Sequence, residues 1–94
     1  MRRPGPEIDN FDWAAARFKC AIDPERFRAQ HDALAQVYRD HGVRVHYVEE
    51  QRTDKPNALF MRDLCFMTPE GAIVTRPAME ARRGEEKAVA KALA

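Results

Sequence analysis

Residues 55–77, KPNALFMRDLCFMTPEGAIVTRP, run from Lys55 to Pro77 as two apolar stretches with a turn between them. How they are read decides the fold. Leu59 to Met67 has the composition of a strand, Thr68-Pro69-Glu70-Gly71 that of a type I turn, and Ala72 to Arg76 that of a second strand. Side chains alternate along a strand, so Leu59, Met61, Asp63, Cys65 and Met67 share one face. Ala58, Phe60, Arg62, Leu64 and Phe66 share the other. Asp63 then projects among apolar and sulfur-bearing neighbours. A carboxylate so placed takes up a proton unless a cation or several donors meet it. In an ideal strand Arg62 points the opposite way, so the partner comes from elsewhere in the fold or from a cationic ligand. A planar guanidinium suits the task, because two parallel N–H donors match a carboxylate bidentately. The plainer alternative is an acid at a strand end that caps a turn or joins a structural ion pair.

Working outward, EEQRTDKPN reads as a polar loop, and VRVHYV, Val43 to Val48, as a short β-branched strand. Before it lies the clearest element. Asp23 is a good N-cap, Pro24 suits the first helical position, and Glu25 favours the positive end of the dipole. Phe27, Leu34, Val37 and Tyr38 fall on one face with Ala33 beside them, while Arg28, Asp32 and Arg39 point away. Gly42 is a natural stop after His41, which predicts an amphipathic helix from Pro24 to His41. Phe11 to Ile22, FDWAAARFKCAI, fits either a short helix or an irregular packed segment. Pro4, Gly5 and Pro6 forbid a helix at the start. GEEKAVAKALA, with acids first and lysines later, predicts a closing helix matched to its dipole. The order helix, strand, strand, strand, helix is an α/β unit.

The 94 residues predict one small domain, 1–94, too short for a deep core. A net charge of +1 gives no long-range field for nucleic acid or an anionic membrane. No apolar run approaches membrane-spanning length, and MRRPGPEIDN lacks the hydrophobic segment of a signal peptide, so the expectation is a soluble cytoplasmic protein. Cys20 and Cys65 have no metal spacing and read as free thiols. His41 and His46, five residues apart across a helix–strand junction, have no acids spaced to orient them as ligands, so no metal or cofactor is expected, and His41 reads as a cation at a helix C-terminus. Phe11, Trp13 and Phe18 have no interleaved basic stripe and read as core or interface anchors.

Pro56-Asn57-Ala58-Leu59-Phe60-Met61-Arg62-Asp63, then an apolar strand, a Thr-Pro-x-Gly turn, another strand and Ala81-Arg82-Arg83-Gly84-Glu85, resembles the guanidino-group-modifying superfamily. That group includes arginine deiminases, amidinotransferases and dimethylarginine dimethylaminohydrolases. The P-N-x-x-F-x-R-D string with a downstream A-R-R-x-E is most similar to the deiminase and amidinotransferase branches. The resemblance implies a five-bladed α/β propeller (the pentein fold), of which this chain makes one to one-and-a-half ββαβ-type modules. It implies a cysteine nucleophile attacking the guanidinium carbon, a histidine moving protons, and acids clasping the guanidinium nitrogens. By position it makes Asp63 the substrate-binding acid, sets Asn57 and Phe60 in the pocket lining, and favours Arg83 over Arg82 for the substrate carboxylate. Glu85 takes a supporting structural role.

The chain also departs from the pattern. The family's catalytic histidine and second acid come after this segment and its cysteine later still, whereas His31, His41 and His46 all precede Asp63. Cys65, in a strand, reads as an inert small hydrophobe. Two functions are therefore expected as alternatives. One is the N-terminal part of an arginine deiminase-like or amidinotransferase-like enzyme for an arginine-type guanidino compound, inactive alone. The other is a non-catalytic ligand-binding or assembly module of the same fold. Unpaired blade edges favour a homo-oligomer or the remainder of a longer chain as partner.

Overall fold

The computed structural model describes residues 1–49 and 53–94, so the predicted loop EEQRTDKPN lies partly outside the described residues. Helix α1 spans Pro24–Asp40, strand β1 Cys65–Thr68, strand β2 Gly71–Val74 and helix α2 Glu86–Leu93. Single 3-10 turns occupy Pro6–Ile8, Met61–Leu64 and Glu80–Arg82.

The local signals held where they are local. Asp23 caps α1, its carboxylate accepting from the backbone N–H of Glu25 and of Arg26. Gly42 follows with φ 77°, and His41 Nδ1 lies 2.8 Å from the Val37 carbonyl in the last turn. β1 and β2 form an antiparallel hairpin in which Phe66 faces Ile73 and Met67 faces Ala72. α2 lies against β2 and against the turn at Met61–Leu64, burying Val89 and Leu64. The segment after Phe11 is irregular: successive turns span 13–17 and close at Arg17, whose φ is 66°. Phe18 then stacks edge-on with Phe11 and Phe27 and meets Phe60 at 6.4 Å.

Three expectations are corrected. Leu59 to Met67 is not one strand, because turns run from Lys55 through Leu64 and β1 begins only at Cys65. Val43 to Val48 is not assigned as a strand either. Its Val43 N–H donates to the Tyr38 carbonyl at 3.0 Å, and its far end meets Met1, through Val48 N–H to the Met1 carbonyl at 2.7 Å and the Met1 amine to the His46 carbonyl at 2.6 Å.

The third correction concerns which side of α1 faces inward. Its charged side holds the N-terminal arm: Arg3 grips Asp32 through two 2.8 Å bonds, and Arg28 donates to the carbonyls of Pro4 and Gly5 and to Asp9. Only Ala35 of α1 is fully buried, and Leu34, Val37 and Tyr38 stand about half exposed. Ion pairs and carbonyls of the arm, not apolar burial, orient this helix.

The arm is part of the interior. Arg2 and Glu7 form a buried ion pair at 2.7 Å, and Glu7 Oε1 also accepts the Gly5 backbone N–H at 3.0 Å. A β-carbon on Gly5 would sit 2.6 Å from Glu7 Oε2, so the carboxylate closes on the glycine. Gly5→Ala should therefore displace a carboxylate that Arg2 holds, at a cost of about 1–3 kcal/mol. Urea unfolding should show a lower midpoint with unchanged slope.

Candidate functional site

The sequence Asn57 to Asp63 folds as consecutive turns: Phe60 N–H donates to the Asn57 carbonyl at 3.0 Å and Asp63 N–H to the Phe60 carbonyl at 3.2 Å. The hairpin pins the far end. Thr75 N–H donates to the Leu64 carbonyl at 3.0 Å and its hydroxyl to the Asp63 carbonyl at 2.8 Å. Asp63 thus sits at a hydrogen-bonded corner between the turn and β1.

Its carboxylate meets two guanidinium groups. Arg82 Nη1 reaches Oδ2 and Arg62 Nη1 reaches Oδ1, each at 3.0 Å. In a strand Arg62 and Asp63 would diverge; on the tight turn they pair. The two arginines are unequal, because the Arg62 side chain is 94% exposed and that of Arg82 only 14%. An exposed ion pair contributes about 0–1 kcal/mol, so Arg62 is cheaply displaced. Arg82 is anchored further, with Nη2 at 3.4 Å from the carbonyls of both Asn57 and Phe60 and 2.9 Å from Glu85 Oε2.

Arg82 separates the behaviour of the two acids it touches. The Arg82 hydrogen bond, helped by Arg62, holds the Asp63 carboxyl below the usual aspartate range. Glu85 is pushed up by burial, which Arg82 opposes without overcoming. Asp63 therefore contributes stability above about pH 3.9 that is lost as pH falls through its lowered pKa. Glu85 works in reverse, and its contribution fades as pH rises through a raised pKa.

Two clefts flank Asp63. One, of about 330 Å³, is walled by Thr75, Pro77, Met79 and Arg82. The other, of about 490 Å³, runs from Asp63 past Phe60 and Met61 to Tyr38 and His31. The imidazole of His31 is partly buried, which lowers its pKa, and its Nδ1 has no hydrogen-bond partner. Of the predicted site residues, Asp63 and Phe60 share this larger cleft. Asn57 is buried and its amide donates to the Ala16 carbonyl at 3.1 Å, so it meets Arg82 only through its backbone. Arg83 is exposed and reaches the Ala78 carbonyl at 3.4 Å. The sequence offers Arg82 only as the less favoured arginine for a substrate carboxylate, and not as the partner of Asp63, although its spacing of three residues from Glu85 is a visible pairing signal. Among the described residues no three His, Cys, Asp or Glu side chains gather as a metal site, and no helix is long and apolar enough to cross a membrane.

A family model described as N,N dimethylarginine dimethylhydrolase, eukaryotic, matches residues 6–94. The chain belongs to this family. Membership places it in the guanidino-group-modifying superfamily and implies the pentein α/β fold, with which two helices and an antiparallel hairpin are compatible. The match falls in the dimethylarginine branch, whereas the P-N-x-x-F-x-R-D string had favoured the deiminases and amidinotransferases. No curated protein and no solved structure matches the chain.

Replacing Arg82 by Ala should raise the pKa of Asp63 toward about 3.9 and push Glu85 higher still, since both lose their shared cation. Carbon-detected NMR titration of the two carboxyl groups measures this. An Asp63 pKa unchanged by the substitution would show that Arg82 does not set its charge.

Proposed function

We propose that this chain is a module of a hydrolase for arginine-type guanidino compounds, in which Asp63 receives the substrate guanidinium. The observation that supports this most is the carboxylate of Asp63, already holding two guanidinium groups and opening on two clefts, in a member of a guanidino-hydrolase family. Binding replaces Arg62. A substrate guanidinium takes the Oδ1 side from this exposed residue, while Arg82 stays on Oδ2 and keeps the acid ionised. Phe60 walls the larger cleft beside the acid, and Asn57 fixes the turn that aims it. Arg83, held by a single carbonyl, is the arginine available for a substrate carboxylate, since Arg82 is engaged by both acids.

In this reading the 94 residues form one domain of one to one-and-a-half ββαβ-type modules of a five-bladed propeller. The half-exposed stripe of α1 and the hairpin residues Phe66, 65% exposed, and Ile73, 58% exposed, are where neighbouring modules or a second copy would pack. The radius of gyration, 13.9 Å against about 12 Å expected for this length, agrees with faces left uncovered.

No histidine follows Asp63 and Cys65 is the only cysteine after it, so these residues supply binding and not the nucleophile. Incubated alone with arginine or its methylated forms, the chain should yield no citrulline or urea-type product. Product that disappears in Cys65→Ala would overturn that expectation.

Asp63→Asn should weaken binding of arginine to the complete enzyme by more than tenfold, or about 1.4 kcal/mol, because it removes the charged half of the pair. Calorimetry with a slow analogue tests it, and an unchanged affinity would return Asp63 to a purely structural role.

A further inference from the structure

A recess that shares no residue with the two Asp63 clefts opens on Glu85, with a volume of about 250 Å³. The Glu85 side chain is 1% exposed, its Oε2 is held by Arg82 at 2.9 Å, and its Oε1 has no hydrogen-bond partner. A buried carboxylate oxygen left in this state is costly, and burial accordingly drives the group toward its neutral form. Ala15, Ala16, Pro56 and Ala81 line the recess with apolar surface, and the exposed acids Asp12 and Asp54 contribute to it with Phe11.

The charges of Arg82, Lys55 and Arg2 act on Glu85, but no donor among the described residues meets its Oε1. The Asn57 amide is spent on the Ala16 carbonyl. Lys55, close enough for its charge to act on Glu85, donates to the Ala81 carbonyl at 2.8 Å.

We propose that this recess binds a small primary alkylammonium ion, with its head on Glu85 Oε1 and its aliphatic part against the alanines and Pro56. The choice of head group follows from the single unpartnered oxygen. A guanidinium uses its planar fork best on two carboxylate oxygens, and Oε2 belongs to Arg82. An ammonium is a compact charge whose donors rotate, so one oxygen below and acids nearby suffice. The volume leaves room for a few methylene groups, and Phe11 adds apolar lining. A metal ion fits poorly, because the described residues gather no set of three ligating side chains. The site is separate from the guanidinium site proposed for Asp63 and stands or falls without it.

The test is an amide-detected NMR titration of the 94-residue chain with propylammonium chloride, and with guanidinium and potassium chlorides as comparisons. The expected result is saturating shifts at Ala16, Asn57, Ala81 and Glu85, with propylammonium saturating at fivefold or more lower concentration than guanidinium. Potassium should give no saturation. Glu85→Gln should abolish the saturable shifts. That variant also loosens Arg82, so Ala15→Leu, which fills the recess from an exposed position, serves as the second: its spectrum should stay folded and its affinity fall at least tenfold. Shifts that never saturate, that centre on Met61–Leu64, or that guanidinium produces equally well would overturn the assignment. So would a folded Ala15→Leu variant that binds propylammonium as the parent does.

Discussion

One guanidinium group organises this molecule. Arg82 touches the carbonyls of Asn57 and Phe60, the carboxylate of Asp63 and the carboxylate of Glu85. The two carbonyls are those an extended strand would offer to a neighbour, and their capture goes with turns where apolar composition alone would write a strand. The same contact fixes the charge of Asp63. Local backbone conformation and site electrostatics therefore have a common cause, nineteen positions away in sequence from the acid.

Apolar burial among the described residues is sparse. The fully buried hydrophobic residues among them are Ile8, Leu64, Val89 and three alanines, Ala16, Ala35 and Ala58. Beside them lie Arg2 with Glu7, and Arg82 with Glu85, as ion pairs withdrawn from water. Such pairs contribute little net stability against well-packed apolar residues, but breaking one partner away is expensive, about 3–5 kcal/mol. They specify the arrangement more than they strengthen it. Two acids on one arginine, shifted in opposite directions, show how finely burial decides between specification and strain.

The legible parts of the fold were those with local causes. Asp23, Pro24 and Gly42 mark α1 because capping and left-handed backbone depend on immediate neighbours. The Thr68–Gly71 turn and α2 were legible for the same reason. Asp63 does meet a cation from elsewhere in the fold, Arg82, but it stands exposed on a turn and not among the apolar strand neighbours that alternation implied. The facing of α1 was illegible too. Periodicity finds an apolar stripe but not whether arginines and carbonyls of a distant arm hold the opposite side, as Arg3 with Asp32 and Arg28 with Pro4 and Gly5 do here.

An interior assembled around paired charges has a thermal consequence. Unfolding exposes apolar area, which raises heat capacity, and polar area, which lowers it. Here the second share is large, because guanidinium and carboxylate groups occupy places that Leu or Phe fill elsewhere. The curve of folding free energy against temperature is therefore flatter than chain length alone dictates. Cold should loosen this chain little more than mild warming does.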